Sequence, residues 1–345
     1  MNDRQWGIAV VGYGLIGKIH LKALKEIPHY RVTGIWGRDF EKTKGVADEF
    51  GIYAYPSYAQ ALADPEVDII DICMPSGLHA HYGLPACEAK KHVIVEKPMD
   101  VSMTAARSLV EACREAGVSL AVILQNRFAP SAVKVKRAVE SQLLGRLYAG
   151  EATVKWFRDE SYYTSSEWKG TKRFDGGGAF INQAIHTLDL LLWFMGGEVK
   201  SVASLIRTAH HDIEVEDLGI AIAELTSGAI ANVTASTAMK PGFPERIELY
   251  GEKGSIALEA GRIVRWKVDG YKEEDYLDLV KLGSGSRDPG GIPLVNHVNQ
   301  FASIADALDK GEQPPVSGEE SLRSLKFIMD IYAANGRWLE VGQPS

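Results

Sequence analysis

Residues 7 to 17 read GIAVVGYGLIG, a short apolar run that leads directly into three closely spaced glycines. The apolar run at 7–11 predicts a buried strand, and an amphipathic helix is predicted to follow through about Ile27. Apolar runs and helical stretches then alternate, with further strands predicted at 30–36, 52–55, 67–74, 92–97 and 119–125. Such alternation is typical of a doubly wound parallel sheet, and it accounts for roughly the first 125 residues.

The glycines at 12, 14 and 17 have the spacing of a dinucleotide-binding turn, and they lie between a predicted strand and a predicted helix. Gly12 permits a tight turn, Gly14 lets the backbone approach a pyrophosphate, and Gly17 allows the helix to pack closely on the strand. The diphosphate would lie at the helix N-terminus, against the free N–H groups around Leu15 and Ile16. A structural glycine turn without a ligand is the alternative.

The end of the second predicted strand bears on which nicotinamide cofactor would bind. NAD-specific sites usually carry Asp or Glu there, and the carboxylate binds the ribose 2′-hydroxyl. Here Gly37 occupies that place and Arg38 follows it, and an exposed guanidinium can stack on adenine and pair with a 2′-phosphate. The pattern predicts NAD(P) with a slight lean to NADP. Asp39 could still reach the ribose, and Arg38 could instead be a solvated surface residue.

The fourth predicted strand ends at the same edge of the sheet, where open α/β sheets bind ligands. It closes with Met74, Pro75 and Ser76, and His79 opens the following helix. We expect these residues to line the nicotinamide ribose and phosphate. For His79, local packing at the start of a helix is the alternative.

The fifth predicted strand delivers Glu96 and Lys97 to this edge of the sheet. Pro98 cannot extend the hydrogen-bonded ladder, so the strand stops there and Lys97 is held at the rim of the crevice. The sequence therefore places a carboxylate and an ammonium where a cofactor and its substrate would meet.

The pattern changes after residue 125, where strands with alternating polarity predict an antiparallel sheet with one face packed and the other available. The predicted strands lie near 147–158, 199–209, 218–226, 229–237, 245–250, 255–259 and 262–268, and the predicted helices near 130–143, 179–195, 294–309 and 319–335. A glycine-rich stretch at 283–291 predicts a mobile loop. The chain is thus predicted to be α/β, with a Rossmann domain at 1–125 and an α+β domain on an open antiparallel sheet at 126–345.

The segment from Asp175 to Asp189 is the richest in chemistry outside the first domain. Three glycines precede a predicted helix that carries Asn182, His186 and Asp189, and their spacing of four and three puts them on one helical face. Such polar groups are costly to bury unless they are hydrogen-bonded, so a polar substrate would explain them. His186 can exchange a proton near neutral pH, as alcohol oxidation requires. A core histidine satisfied by Asp189 is the alternative.

Other polar groups are weaker candidates. Gln125 and Arg127, near the domain junction, could hold the nicotinamide carboxamide or a substrate, or could be structural. Arg158, Tyr163 and Trp168 lie in a predicted loop that suits sugar stacking and hydroxyl recognition, with surface packing as the alternative. The run His210-His211-Asp212 lacks a completing ligand pattern and is interpreted as a loop, and no metal is predicted.

Composition limits the class of protein. The 345 residues suggest two domains, and the net charge of −7 argues against nucleic-acid or anionic-membrane binding as the main role. Cys73, Cys87 and Cys113 lack metal-ligand spacing and suggest reduced thiols in a cytoplasmic protein. The N-terminus shows no signal-peptide pattern, and no apolar stretch approaches the length of a membrane span.

Three separated motifs together resemble the Gfo/Idh/MocA oxidoreductase family: the glycine turn, Glu96-Lys97-Pro98, and the segment from Gly176 to Asp189. The resemblance covers essentially the whole chain. It implies a Rossmann domain, a sheet domain that mediates homodimers or homotetramers, and reversible hydride transfer between NAD(P) and a sugar, inositol or related compound. It also implies that Lys97 contacts the reacting hydroxyl and that His186 is the acid/base.

One position departs from the family pattern. Many members carry Asp four residues before the histidine, whereas this chain has Asn182, and an amide cannot accept a proton. We therefore expect Asn182 to orient the substrate. The context from Trp168 to Thr171, with Asn182 and Gln183, is similar to a branch that includes nucleotide-sugar 3-dehydrogenases of the UDP-N-acetylglucosaminuronate type. Two alternatives remain: a redox-neutral enzyme with a recycled NAD, and a nucleotide-binding regulator.

Overall fold

The computed structural model describes residues 5–278 and 293–342, so the glycine-rich stretch at 283–291 lies outside the described residues. The chain divides into two compact units. The first comprises Met1–Gln125 and Leu294–Leu322, and the second comprises Asn126–Pro293 and Arg323–Ser345. The segment 294–322, which the sequence analysis assigned to the second domain, therefore belongs to the first unit.

The N-terminal elements alternate between strand and helix, as the sequence predicts. They are β1 (Trp6–Val11), α1 (Leu15–Lys25), β2 (Tyr30–Trp36), α2 (Phe40–Phe50), β3 (Tyr53–Ala54), α3 (Tyr58–Ala63), β4 (Ile69–Ile72), α4 (His79–Glu88), β5 (His92–Val95), α5 (Met103–Ala116) and β6 (Leu120–Val122).

The following elements are mostly strands. They are α6 (Pro130–Glu140), β7 (Leu147–Lys155), α7 (Glu160–Thr164), a π-helical turn (Ala179–Ala184), α8 (Ile185–Met195), β8 (Val199–Arg207), β9 (Leu218–Leu225), β10 (Ile230–Ser236), β11 (Arg246–Gly251), β12 (Gly254–Glu259) and β13 (Arg262–Val268). After the undescribed stretch come α9 (Leu294–Lys310), α10 (Gly318–Ala333) and β14 (Trp338–Glu340).

The first unit is built on a six-stranded parallel sheet in the order β3-β2-β1-β4-β5-β6. Its core explains why a C-terminal segment joins it. Phe301, Ile304 and Leu308 of α9 lie in the same buried cluster as Leu21 and Leu24 of α1. Burial of apolar side chains stabilises this packing, and only tertiary structure reveals it. All strands of this sheet present their carboxyl ends at one edge, where parallel α/β sheets bind ligands.

The second unit carries an eight-stranded sheet in the order β13-β12-β11-β7-β10-β9-β8-β14. Its strand pairs are antiparallel except β7 with β10, so the sheet is mixed rather than wholly antiparallel. α8 packs against β7 so closely that a Cβ at Gly150 would meet the Met195 sulfur at 2.4 Å. The other face leaves large apolar side chains exposed: Leu205, Ile220, Ile222 and Ile230.

Two further observations bear on the predictions. The predicted helix at 179–195 is a π-helical turn followed by α8, and the predicted loop near Arg158 contains the short helix α7. Among the described residues, no helix is long and apolar enough to cross a membrane.

Candidate active site

The glycine turn has the geometry of a cradle for a diphosphate. A Cβ at Gly12 (φ +124°) would meet the Cys73 carbonyl oxygen at 2.5 Å, and one at Gly17 would meet the Gly12 oxygen at 2.0 Å. A Cβ at Gly14 would meet nothing within 4 Å, so the side of the turn that would face a pyrophosphate is open. Within the described residues, no side chain caps the N-terminus of α1, where Leu15 is exposed. Its first N–H groups thus suit an anion.

The end of β2 leaves no room for the carboxylate typical of NAD sites. A Cβ at Gly37 would meet the Tyr13 ring at 2.3 Å and the Thr43 hydroxyl at 2.9 Å. The Asp39 carboxylate caps α2 by accepting a hydrogen bond from the Lys42 N–H at 3.1 Å, and that hydrogen bond lowers the pKa of Asp39. Arg38 is exposed beside them. The residues present therefore offer a guanidinium and a capping carboxylate to the adenosine ribose.

At the end of β4, Met74 and Pro75 are half-buried and Ser76 is buried. His79 is almost completely buried, with Nδ1 2.7 Å from the Pro98 carbonyl oxygen and Nε2 2.7 Å from the Met74 carbonyl oxygen. Burial lowers the pKa of His79. The ring thus joins two backbone segments at the edge of the sheet, which is the structural role that the sequence left open for it. A contact between His79 and the cofactor stays a prediction.

At the end of β5, Glu96 is buried and Lys97 is half-buried. Glu96 accepts hydrogen bonds on both oxygens, from the Lys97 main-chain N–H at 2.9 Å and from His20 at 3.0 Å. The Lys97–Pro98 peptide bond is cis. Glu96 was predicted to contact the cofactor, and the structure shows that its carboxylate oxygens already bind groups of the protein.

Gln125 ends the N-terminal part of the first unit and is buried. Among the described residues, its Oε1 atom has no hydrogen-bond partner. A buried acceptor in this state fits a ligand that donates a hydrogen bond, such as the carboxamide of nicotinamide. Together with the open glycine cradle, this orphan acceptor shows that the first unit fits a dinucleotide.

In the second unit, a buried carboxylate holds the glycine-rich turn. Glu216 accepts hydrogen bonds from the main-chain N–H groups of Gly178 and Phe180, each at 2.9 Å, and from the Tyr332 hydroxyl at 2.9 Å. Burial raises the pKa of Glu216, which these three hydrogen bonds oppose. A Cβ at Gly177 would meet the Tyr332 hydroxyl at 2.1 Å, so the glycines are needed for close approach. This contact fixes where the π-helical turn begins.

The π-helical turn changes the predicted alignment of Asn182, His186 and Asp189. The spacing argument assumed an α-helix throughout, but Asn182 lies in the π-helical turn and the other two lie in α8. Asp189 binds Arg127 in a buried bidentate ion pair, with both N···O distances 2.7 Å. The alternative in which Asp189 satisfies His186 is therefore wrong. His186 itself is half-buried in the first turn of α8.

A polar network surrounds Asn182. Its amide nitrogen donates to the buried Asp175 carboxylate, and its amide oxygen accepts from Gln183 at 2.9 Å. Gln183 also donates to the Tyr162 hydroxyl and accepts from Arg158, both at 2.8 Å. The network orients the Asn182 amide and supplies a carboxylate, at Asp175, that the sequence analysis did not single out.

The predicted substrate residues near α7 divide into two groups. Arg158 lines a cleft of about 500 Å³ in the second unit, which is also lined by Phe157, Asp159, Ser161, Tyr162, Ser165 and Pro241. Trp168, which follows α7 in the sequence, is half-buried. Tyr163 is buried, and its hydroxyl lies 2.8 Å from the Thr237 hydroxyl. Arg127 is likewise buried, in its ion pair with Asp189. Substrate contacts by these residues stay predictions.

The histidines at 210 and 211 serve the local fold. His211 is buried with Nδ1 3.0 Å from the Asp217 carboxylate and Nε2 2.8 Å from the Arg158 carbonyl oxygen. Asp217 also accepts hydrogen bonds from the main chain at 209, 210 and 211. This arrangement closes a loop, in agreement with the interpretation from sequence.

Comparison with known proteins agrees with the fold and the motifs. An oxidoreductase family with an NAD-binding Rossmann fold matches residues 6–124, which places the chain among NAD-binding oxidoreductases. The GFO/IDH/MocA C-terminal domain matches residues 132–257. The chain belongs to the GFO/IDH/MocA oxidoreductase family, as its three motifs predicted, and the prediction of a dehydrogenase is confirmed at this level.

Three relatives illustrate the similarity. The uncharacterized oxidoreductase YrbE of Bacillus subtilis (strain 168) is 32% identical over 91% of this chain and 90% of its own length. The myo-inositol 2-dehydrogenase of Thermotoga maritima is 26% identical over 92% of each chain. The WlbA dehydrogenase of Bordetella pertussis, solved with NADH and UDP-GlcNAcA, is 30% identical over 99% of this chain and 100% of its own, with a TM-score of 0.88.

Proposed function

We propose that this oxidoreductase oxidises a carbinol carbon of a nucleotide-sugar acid, using Lys97 and His186. Inositols and free sugars are the other substrate classes of its relatives. The observation that carries the choice is the similarity to WlbA over nearly the full length of both chains, because that protein was solved with UDP-GlcNAcA. Positively charged side chains near the cleft of the second unit also favour an anionic substrate.

Two cations flank one aromatic ring at this cleft. The Lys169 ammonium lies 4.1 Å from the Tyr162 ring centroid, and the Arg158 guanidinium carbon lies 5.4 Å from the same centroid. Lys169 is half-buried and forms no ion pair within the described residues, and burial lowers its pKa. A cation such as Lys169, which is partly withdrawn from water and forms no ion pair among the described residues, suits an anionic substrate such as a carboxylate or a diphosphate.

The proposed chemistry divides between the cofactor and the chain. Bound NAD(P) supplies the hydride acceptor, while the protein supplies orientation and electrostatics. Oxidation also releases the hydroxyl proton, which His186 accepts on a ring nitrogen and returns in the reverse direction. The Lys97 ammonium polarises the same oxygen. Asn182, held by Asp175 and Gln183, orients a substrate hydroxyl.

We further propose that NADP binds better than NAD. Gly37 excludes a carboxylate at the end of β2, Asp39 is engaged in capping α2, and Arg38 is the exposed cation. Arg38→Ala should then raise the Kd for NADP more than the Kd for NAD. An equal change for both cofactors would refute the role of Arg38. WlbA was solved with NADH, so both cofactors belong in every assay.

We also propose that a second copy of the chain covers the exposed face of the eight-stranded sheet, as in a homodimer or homotetramer. Leu205, Ile220 and Ile222 line an open apolar groove on this face, and such contiguous exposed patches mark interaction sites. Ile220→Arg should dissociate the oligomer in analytical ultracentrifugation, whereas Tyr53→Arg, at an exposed aromatic residue of the first unit, should not. A monomeric wild type would overturn this proposal.

We also propose that the protein is cytoplasmic, which cell fractionation would test.

A substrate panel tests the proposed function. UDP-GlcNAcA, myo-inositol and scyllo-inositol are each incubated with NAD and with NADP, and nicotinamide reduction is followed by absorbance. We expect the nucleotide-sugar acid to have the highest kcat/KM, and Lys169→Ala to lower it for this substrate alone. Faster turnover of an inositol would refute the substrate class. Product formation without net nicotinamide change would show a redox-neutral enzyme instead.

A further inference from the structure

A buried histidine in the first unit bridges two carboxylates. His20 lies in α1, the helix that follows the glycine turn, and its side chain is completely buried. Its Nδ1 atom lies 2.9 Å from an Asp71 carboxylate oxygen, and its Nε2 atom lies 3.0 Å from Glu96 Oε1. Asp71 is in β4 and Glu96 directly follows β5. The imidazole of His20 therefore joins α1 to the neighbouring strands β4 and β5.

The chemistry of these contacts fixes the charge of the ring. An ionised carboxylate oxygen only accepts hydrogen bonds, so both ring nitrogens of His20 must donate, and only imidazolium has two N–H donors. Burial is the largest influence and lowers the pKa of His20, but the charge and hydrogen bond of Asp71, with a further contribution from Cys73, together outweigh it and hold the pKa well above its ordinary value. Burial raises the pKa of Glu96, but the hydrogen bond and charge of His20 and the charge of Lys97 bring it to about 2.

Glu96 passes this constraint on to Lys97. Its Oε1 atom is held by His20, and its Oε2 atom accepts the Lys97 main-chain N–H at 2.9 Å. The carboxylate is thus fixed at both oxygens. A continuous series of hydrogen bonds runs from Asp71 through His20 and Glu96 to the backbone of Lys97.

We propose that His20 is a positioning residue: as a permanent imidazolium it fixes Glu96 and, through Glu96, the placement of Lys97. This inference rests on the proposed function of Lys97 and adds a residue that touches neither substrate nor cofactor. Charge balance supports it, because the two cations His20 and Lys97 match the two carboxylates Asp71 and Glu96. An unpaired carboxylate in such a buried position would be destabilising.

Three other titratable groups face this cluster, and two of them, Cys73 and Tyr30, are uncharged near neutral pH. Burial raises the pKa of the Cys73 thiol, whose sulfur lies 3.1 Å from His20 Nδ1, to about 12. Burial also raises the pKa of Tyr30, whose hydroxyl donates to the Phe301 carbonyl oxygen. The ring of His297 lies 5.5 Å from the His20 ring, centroid to centroid, and the charge of His297 also helps to lower the pKa of Glu96. His20 is the group that bridges both carboxylates.

A kinetic comparison of variants tests the proposal. His20→Gln keeps one donor but loses the charge, so Glu96 stays buried without its cation and its pKa rises. Its carboxylate then becomes protonated as the pH falls, and kcat should drop about 10- to 100-fold below roughly pH 6, as expected when a catalytic group is misplaced. The Kd for NADPH should stay close to that of the wild type, because the glycine cradle is intact.

Two further variants separate positioning from loss of stability. His20→Gln combined with Glu96→Gln lacks the titrating carboxylate, so the acid limb of the pH profile should disappear. Tyr30→Phe removes a buried hydroxyl from the same core and should lower the melting temperature without creating an acid limb. An acid limb in Tyr30→Phe, or a His20→Gln profile parallel to the wild type, would overturn the proposal.

Measurements that need no turnover distinguish this inference from the proposed function. In histidine-labelled protein, ¹⁵N NMR should show both His20 nitrogens protonated through about pH 8. In a pH titration of protein with ¹³C-methylated lysines, the chemical shift of Lys97 should show an inflection in His20→Gln that is absent in the wild type and in the double variant. A neutral His20, or a Lys97 titration that is the same in His20→Gln as in the wild type, would overturn the inference even in an active enzyme. Both signals behaving as expected in a protein that reduces no nicotinamide would refute only the proposed function.

The same residues could also suit a metal ion, since His20, Glu96 and His297 offer ligand atoms within 4.8 Å of one another. Elemental analysis of the purified protein and its activity after dialysis against a chelator decide this. We expect no stoichiometric metal and unchanged kcat. A stoichiometric metal whose removal abolishes activity would replace the imidazolium account.

Discussion

The buried ion pair between Arg127 and Asp189 allows a quantitative test of whether Arg127 is structural or binds substrate. Both N···O distances are 2.7 Å, and the two side chains are 6% and 2% exposed. Arg127→Met removes the cation and leaves the Asp189 carboxylate buried without a partner. Breaking a buried pair in this way costs about 3–5 kcal/mol. For a unit of this size, that loss lowers the melting temperature by roughly 6–20 °C.

Two comparison variants isolate the effect of the unpaired charge. The double variant Arg127→Met, Asp189→Leu has no buried charge, and it should be more stable than the single variant by about 3 kcal/mol or more. Glu224→Gln breaks the exposed pair of Glu224 with Lys200, whose atoms are 3.0 Å apart. It should lower stability by less than about 1 kcal/mol.

Thermal unfolding followed by circular dichroism, together with KM for the sugar substrate, gives the answer. The structural account predicts a large loss in melting temperature for Arg127→Met, partial or full recovery in the double variant, and little change in KM for molecules that remain folded. A melting temperature within about 2 °C of the wild type, combined with a large rise in KM, would refute the reasoning. Arg127 would then be a substrate residue, as the sequence alone suggested.

Two further predictions concern the first unit. Gly14→Ala should fold normally but bind NADP weakly in a fluorescence titration, because its Cβ meets no protein atom yet fills the cradle. Gly17→Ala should also have a lower melting temperature, because its Cβ would lie 2.0 Å from the Gly12 oxygen. Equal stability of the two variants would contradict the assigned glycine roles. The fall in the pKa of Glu96 from 4.5 to about 2 means that the ionised carboxylate stabilises the fold above pH 4.5 and loses this effect as the pH falls toward 2. Denaturant titrations should therefore show that the stability advantage of the wild type over Glu96→Gln, about 3 kcal/mol at neutral pH, shrinks across that window, and a pH-independent difference would contradict the ion pair.

Local patterns in the sequence were sufficient to predict the parallel sheet of the first unit. The glycine motif can be recognised from the strand and helix that flank it in sequence, and the apolar composition of the strands predicts that they are buried. Asp71 in the run Ile-Ile-Asp-Ile and His20 one turn after Gly17 were signals that could have been used, since a charge in a buried strand requires a partner.

Contacts between distant parts of the chain could not be predicted in this way. The π-helical turn depends on Glu216 and Tyr332, which meet Gly178 and Ile181 only in the folded unit. Arg127 and Asp189 are 62 residues apart in sequence, and each is compatible with a site role until they are seen together. The placement of α9 in the first unit likewise follows from a packed core and not from any periodicity.

The most direct test of the account is nicotinamide reduction by the wild type, Lys97→Ala and His186→Ala, assayed with UDP-GlcNAcA and with inositols in the presence of NAD or NADP. The account predicts turnover by the wild type and a loss of about 100-fold or more in kcat for each variant, with cofactor binding largely intact. Wild-type turnover in either variant would contradict the role given to that residue. Failure of the wild type to reduce nicotinamide with any of these substrates would contradict the proposed function itself.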